Sequence, residues 1–217
     1  LYDNSRSAKH LKRLTDLADT LPSVTVIQDL NAPSTIEVTL EADRLIDRCC
    51  FVYEEIYHNH LPKSDYVINL EDDIGIPRGG FERLEWALGD ENVGTVIGDC
   101  NDRRRAVSGG PVIPIACNFH ERRVIGGEYQ TTVDIEMLPS RPGGVEWIGS
   151  GHMGLWLSRR EAVDATGMKT DLQSREMGQD IQYGLRLAEA GWKFAINWDV
   201  KLKHFYQDRE SRRKLSV

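Results

Sequence analysis

The stretch YVINLEDD, residues 66–73, decides the expected fold. Its first five residues are largely apolar, as in a buried strand, and three acids follow without a break: Glu71, Asp72 and Asp73. In open α/β sheets, ligands bind at the carboxyl ends of the strands. Clustered carboxylates repel one another unless a cation lies among them, and such hard oxygen ligands suit Mg2+ or Mn2+. The alternative is an acidic turn that only caps the helix that follows.

Helical and strand patterns alternate around this stretch. Apolar residues at helical spacing predict helices over about residues 6–21 and 41–60. Two more helices are predicted over residues 77–88, with Pro77 at the start, and over residues 179–190, which Gly191 ends. Apolar or β-branched runs predict strands over residues 24–27, 93–97, 112–116, 145–148, 155–157 and 193–196. Ser158 and Glu161 predict a capping box for a helix that Gly167 ends, whereas residues 118–144 give few regular signals. The order predicts one α/β domain over residues 1–217, an α/β/α sandwich with a mostly parallel central sheet.

Composition narrows the class of protein. The 217 residues are 40% hydrophobic and 28% charged, which allows a core of normal size without disulfides or structural metals. The net charge of -7 disfavours a nucleic-acid partner. No apolar run reaches the roughly 18 residues of a membrane span, and no signal peptide is visible. Cys49, Cys50, Cys100 and Cys117 lack metal-ligand spacing, and the adjacent Cys49 and Cys50 suit a buried helix better than a disulfide framework. A reducing compartment, the cytoplasm, is therefore expected.

Two later features could join the acids. Residues 178–180, Gly-Gln-Asp, open a predicted helix that Gly191 ends. An Asp in a first turn is often only a favourable partner of the helix dipole, worth ~0.3–1 kcal/mol. Near a carboxylate-bound metal, however, Asp180 could accept a proton from an attacking hydroxyl. His204 follows the last predicted strand, and a lone His is more often a surface or satisfied core residue than a ligand.

Taken in order, these features resemble the nucleotide-sugar-dependent glycosyltransferases of the GT-A fold, especially inverting family 2. That pattern is a strand ending in a D-x-D-type acid cluster, a Gly-rich acceptor segment, a helix that starts with acids and ends in Gly-aromatic, and a late His. The counterparts here are Asn69-Leu70-Glu71-Asp72-Asp73-Ile74, Trp147-Ile148-Gly149-Ser150-Gly151, Gly178-Gln179-Asp180 with Arg186 and Gly191-Trp192, and His204. The start, Asp3-Asn4-Ser5, resembles the turn of the family that contacts the nucleobase.

The resemblance implies a metal site and a base. Asp73 and His204 would coordinate Mn2+ or Mg2+, with Glu71 close by or bound through water. Asp72 would face the ribose and the diphosphate. Asp180 would be the catalytic base that activates the acceptor hydroxyl.

The resemblance also implies a site for the donor, with uridine as the expected base. Asp3 and Asn4 would contact the nucleobase. Gly151, Trp147 and His152 would line the sugar and acceptor side. The implied reaction is inverting transfer of a sugar from a nucleotide sugar, a UDP-sugar, to a hydroxyl acceptor whose class stays open.

Two departures from the family pattern leave alternatives. Gln179 stands where the family usually has an acid, and the first strand with its nucleotide-contacting loop is not in the sequence, so residues upstream of residue 1 are expected to be missing. A metal-dependent nucleotidyltransferase of similar fold is one alternative. A non-catalytic module that binds a nucleotide sugar or a glycan is another, and a retaining transferase is a third.

Overall fold

The computed structural model describes residues 2–3, 7–21, 26–28, 53–61, 63–71, 74–100, 116–125, 130–168 and 179–204. The chain divides into two compact units. The first comprises residues 1–62 and 168–179, and the second comprises residues 63–167 and 180–217. The assignment of residues 1–217 to one domain stays a prediction.

The first unit contains a helix and a short parallel strand pair. Helix α1 (Ala8–Ala18) begins at Ser7, whose hydroxyl accepts a hydrogen bond of 3.2 Å from the His10 N–H and so satisfies one free donor of the first turn. Strands β1 (Tyr2–Asp3) and β2 (Ile27–Gln28) pair in parallel, and a π-helix spans Ile56–His60. The helix expected over residues 6–21 is confirmed. Of the helix expected over residues 41–60, residues 41–52 lie outside the described part.

The second unit is built on a five-stranded sheet with the order β3-β10-β5-β11-β8. Its strands are β3 (Tyr66–Leu70), β5 (Val93–Asp99), β8 (Val145–Ile148), β10 (Leu155–Arg159) and β11 (Lys193–Lys201). Among the described strands of this sheet, β5 and β11 form the only parallel pair, and the other neighbours run antiparallel. The mixed α/β class is confirmed, but the expectation of a mostly parallel central sheet is wrong.

Strand β10 enters the sheet beside the end of β3. Strand β9 (Ser150–Gly151) precedes it, and residues 152–154 connect the two strands. Leu155, the first residue of β10, pairs with Leu70, the last residue of β3. Strand β10 then runs back between β3 and β5, antiparallel to both.

Helices cover both faces of the sheet. Helix α2 (Gly80–Ala87) buries Leu84 against Leu155 and other apolar residues of the main core. Helix α4 (Gln179–Glu189) contacts the sheet through Tyr183, which reaches Thr95. Since neighbouring side chains on a strand point to opposite faces, Thr95 and the core residue Val96 lie on opposite sides of β5. The predicted helix–sheet–helix layering is therefore present in this unit.

The predicted capping box of Ser158 is wrong, and a region without a predicted element forms a hairpin. Helix α3 (Arg160–Thr166) begins after Arg159, and Ser158 does not cap it, because the Ser158 hydroxyl lies 2.6 Å from that of Thr95. Residues 118–144, which gave few regular signals, contain most of a hairpin. Its strands are β6 (Ala116–Ile125) and β7 (Gln130–Met137), and β9 pairs with the other edge of β6.

Candidate active site

The acidic stretch begins where β3 ends. The N–H of Glu71 donates to the carbonyl of Gly154 at 2.8 Å, and the N–H of Ile74 donates to the carbonyl of Glu71 at 3.3 Å. The Glu71 side chain is half-buried, while Asp72 and Asp73 lie outside the described residues. One main-chain bond therefore attaches Glu71 to the segment that enters β10, and the other joins Glu71 to Ile74.

The late histidine lies beside this stretch. Strand β4 (Ile74–Gly75) pairs antiparallel with β12 (Lys203–His204), and His204 is directly opposite Ile74. The His204 side chain is buried, with 9% of the residue exposed. Ile74 thus contacts Glu71 through a hydrogen bond and His204 through strand pairing. Glu71 and His204 are far apart in the sequence, but both are linked to Ile74.

The donor groups at this corner fit a divalent cation in their chemistry. Imidazole and carboxylate together suit Mn2+, and carboxylates suit Mg2+. Within the described ranges, no group of three or more His, Cys, Asp or Glu residues is arranged to hold a metal ion. Of the predicted ligands, Glu71 and His204 are described, and each is linked to Ile74, whereas Asp73 is outside the described residues. The fit therefore rests on the types of donor group and on their shared link to Ile74.

The N-terminal turn of α4 lies against β9. The hydroxyl of Ser150 donates to the main-chain carbonyl of Asp180 at 2.6 Å. Gly184, one turn further along α4, passes so close that a Cβ there would lie 2.7 Å from the Cβ of Ser150. The half-buried Asp180 carboxylate accepts a hydrogen bond of 2.9 Å from the N–H of Ile181. Close packing of helix against strand therefore fixes the position of Asp180.

Strand β6 adds two residues that the sequence analysis missed. Burial, and to a smaller extent the negative charge of Asp180, raise the pKa of the Cys117 thiol to about 12, so the Asp180 carboxylate lies near Cys117. The N–H of Gly149 donates to the Cys117 carbonyl at 2.8 Å and to Asn118 Oδ1 at 3.2 Å. Nothing in the sequence near Cys117 or Asn118 indicated that they lie beside residues 149–151.

One short segment, residues 149–154, connects the two parts of the candidate site. Ser150 holds Asp180, and Gly154 holds Glu71. Since an extended chain spans at most about 3.6 Å per residue, the Cα atoms of Ser150 and Gly154 are at most roughly 14 Å apart. The acidic strand end and the start of α4 therefore share one structural support.

His152 lies within that segment, and its ring points into the protein. Its residue is 2% exposed. The ring Nε2 lies 2.8 Å from the carbonyl of Gly98, and Nδ1 accepts a hydrogen bond of 3.1 Å from the N–H of Gly154. The predicted contact of His152 with the sugar or acceptor stays a prediction, and the structure shows the ring in contact with main-chain groups.

The other predicted donor and acceptor residues lie in different settings. Gly151 is buried and pairs with Ala116 of β6. Trp147 is 58% exposed on the edge strand β8, and the Lys193 ammonium lies 3.4 Å from the centre of its ring, a cation–π contact. Asp3 belongs to β1 of the first unit, and Asn4 lies outside the described residues.

Comparisons with known proteins identify the fold. No protein-family model matches the sequence, and no curated protein matches it. The chain is similar to the crystal structure of GalNAc-T7 with UDP, GalNAc and Mn2+, with a TM-score of 0.58 and 13% sequence identity. The match covers 96% of this chain and 37% of that one. At this identity the likeness shows a GT-A-like fold, as the sequence predicted, and it does not distinguish inverting family 2 from other GT-A enzymes.

The described helices also bear on membrane insertion. Across the described ranges, no helix combines the length and the apolar character that crossing a membrane requires.

Proposed function

We propose that this chain belongs to a metal-dependent glycosyltransferase that moves a sugar from a nucleotide sugar, a UDP-sugar, to a hydroxyl acceptor. The pairing of His204 with Ile74 carries the proposal, because it joins an imidazole to the end of an acidic stretch on a GT-A-like fold. The similar GalNAc-T7 structure contains UDP, GalNAc and Mn2+, which supports the same class of donor and metal here. The order of the motifs favours inverting family 2 within this fold.

The proposed metal ligands are Asp73 and His204, with Glu71 bound directly or through water. Asp72 would face the ribose and the diphosphate. When bound, Mn2+ or Mg2+ would neutralise the charge that grows on the departing diphosphate. The main-chain bonds of Glu71 to Gly154 and Ile74 support this role, because they hold Glu71 and Ile74 in place before a ligand arrives.

Asp180 is the proposed general base. The acceptor oxygen attacks the anomeric carbon and forms the new glycosidic bond. The bond from that carbon to the diphosphate oxygen breaks, and its electron pair leaves with the nucleotide. The acceptor proton passes to the Asp180 carboxylate, a step that typically contributes ~10²–10⁴-fold to the rate. A single displacement of this kind inverts the anomeric centre.

The remaining contacts complete the proposed donor and acceptor sites. Asp3 and Asn4 would contact the nucleobase. Gly151 and Trp147 would line the sugar and acceptor side, where an exposed indole is a suitable platform for a sugar ring. The net charge of -7 makes a long nucleic acid a poor acceptor, so glycans, lipid carriers and proteins are the acceptors to test first.

A donor screen tests the proposal. The protein is incubated with UDP- and GDP-sugars with and without Mn2+, and released nucleotide and products are identified by mass spectrometry. Mn2+-dependent release of UDP from one UDP-sugar, abolished by EDTA, is the expected result.

Binding of the donor without turnover under any condition would favour a binding module. Condensation of a nucleoside triphosphate with a sugar phosphate would favour a nucleotidyltransferase. Retention of the anomeric configuration in the product would contradict the proposed single displacement.

A further inference from the structure

A buried hydrogen-bond network lies behind the acidic strand end, with His152 at its centre. The ring Nδ1 accepts the Gly154 N–H, so in the neutral ring the proton is on Nε2, and Nε2 donates to the Gly98 carbonyl. Gly98 belongs to β5, and Gly154 immediately precedes β10. The ring therefore joins two neighbouring strands of the sheet at the edge where the candidate site lies.

Gly154 extends this restraint to the acidic stretch. Its carbonyl accepts the N–H of Glu71 at 2.8 Å. A Cβ at Gly154 would lie 3.1 Å from Ile74 Cδ1 and 3.2 Å from His152 Nδ1, so Gly154 is held tightly between the ring and Ile74. The amide group of Asn69 also donates to the carbonyl of Met153. Each of these contacts couples the segment around His152 to a residue at or beside the acids.

We infer that His152 is a positioning residue for the proposed metal site, an inference that rests on the proposed function. Its Nδ1 fixes Gly154, and Gly154 in turn fixes the main chain of Glu71 and the side chain of Ile74, the residue opposite His204. Groups that orient metal ligands without touching the metal typically affect its affinity by 10–100-fold when they are removed. In this role the ring acts on the geometry of the ligands without coordinating the metal itself.

The two ring nitrogens make the inference testable, because two amide side chains each reproduce one of them. In His152→Asn, Oδ1 replaces Nδ1 and accepts the N–H of Gly154, two residues on, as in an Asx turn, but the side chain is too short for Gly98. In His152→Gln, the longer amide can donate to the Gly98 carbonyl and has no acceptor in the place of Nδ1. Each variant loses one buried hydrogen bond, so a purely structural role predicts the same result for both.

The experiment compares these two variants with the unsubstituted chain. Calorimetric titration with Mn2+ alone measures the metal affinity, and NMR measures amide hydrogen exchange of Glu71 and Ile74 in metal-free protein. We expect His152→Asn to bind Mn2+ within about 3-fold of the unsubstituted chain and His152→Gln to bind at least ~10-fold more weakly. Exchange at Glu71 and Ile74 is expected to accelerate in His152→Gln and not in His152→Asn.

Ser158→Ala is the matched control, because it removes a buried hydroxyl that bonds to Thr95, in a cluster that does not include the acidic stretch. It should leave the Mn2+ affinity and the two exchange rates unchanged. Equal Mn2+ affinities and equal exchange rates in the two His152 variants would overturn the inference. If the unsubstituted chain binds no Mn2+, the proposed metal site fails, and the exchange rates still decide whether His152 restrains Glu71 and Ile74.

Discussion

Two successive turns of α4 carry polar groups in opposite settings. Asp180, in the first turn, is half-buried, and its carboxylate lies near Cys117 at the edge of the candidate site. Tyr183, one turn later, is 5% exposed, and its hydroxyl lies 2.8 Å from that of Thr95 and 3.3 Å from that of Ser158. One helix therefore presents a carboxylate beside the site and buries a hydroxyl in the core.

The difference shows how a fold can hold a reactive group in place. Three buried hydroxyls that bond to one another satisfy their hydrogen-bonding capacity internally, and they anchor α4 on the sheet. Burial raises the pKa of Tyr183 to about 12, so this hydroxyl is neutral at physiological pH. Asp180 is the proposed base, and the anchored turn that follows it holds it in position.

The largest effect is expected from Asp180→Asn, which keeps the shape of the side chain and removes the proposed base. Turnover should fall by ~10²–10⁴-fold. Mn2+-dependent binding of UDP and the urea midpoint of unfolding should stay as in the unsubstituted chain. Steady-state kinetics measure turnover, a binding titration measures the affinity for UDP, and urea unfolding gives the midpoint. Unimpaired turnover would refute the role of Asp180, and a large loss of stability would make it a structural residue like Tyr183.

Removal of a proposed metal ligand should produce the next largest effect. In Asp73→Ala or His204→Ala, the affinity for Mn2+ should fall by more than ~100-fold, since a lost ligand costs more than a lost supporting group. Stimulation of activity by Mn2+ should disappear, and UDP should bind more weakly. Titration with Mn2+, with Tyr183→Phe as the control, measures this loss. Metal-stimulated UDP binding that persists in both ligand variants would count against the site.

The sequence predicted the parts of this arrangement that a local pattern encodes. Helical spacing located α1, Pro77 and Gly191 located α2 and α4, and the apolar run ending in acids located β3 and the start of the candidate site. Gly167 was predicted to end a helix, and it does so with a φ of 65°. Each of these signals arises from a few consecutive residues, so it can be recognised without knowledge of the rest of the fold.

The errors arose where distant residues decide the outcome. Ser158 has the sequence of a helix cap, but its hydroxyl bonds to Thr95 in another strand, which no local pattern reveals. The hairpin of β6 and β7 was missed because the charged run over residues 120–123 interrupts the apolar signal of β6. The contacts of His152 with Gly98 and Gly154 were not foreseen either, because they depend on two strand ends that meet only in the folded chain. The contact of His152 with the sugar or acceptor, which the family resemblance implied, stays a prediction.

A smaller effect is expected from Tyr183→Phe, the counterpart of the Asp180 variant. The free energy of unfolding should fall by about 1 kcal/mol. The loss should be modest because Thr95 and Ser158, whose hydroxyls are 2.6 Å apart, can still bond to each other. Turnover should change by less than about 2-fold, since the tyrosine hydroxyl is buried away from the proposed reaction. Urea unfolding followed by fluorescence measures the stability. A loss of turnover without a loss of stability would show that Tyr183 also affects the proposed reaction.

The smallest effect concerns Cys117, which reports on the first turn of α4. With a pKa of about 12, roughly one thiol in 10⁴ is ionised at pH 8, so iodoacetamide should label Cys117 slowly in the folded chain and rapidly in urea. Mass spectrometry of the Cys117 peptide follows the reaction. In Asp180→Asn the thiolate loses a repulsive neighbour, so the pKa should fall and labelling should rise.

The size of that rise separates two explanations of any activity lost in Asp180→Asn. Burial is the larger cause of the raised pKa of Cys117, and it persists if α4 stays in place, so labelling should remain far slower than in urea. Labelling as fast as in the unfolded chain would mean that the first turn has left β6. The lost turnover would then reflect displacement of the helix and would not identify a missing base.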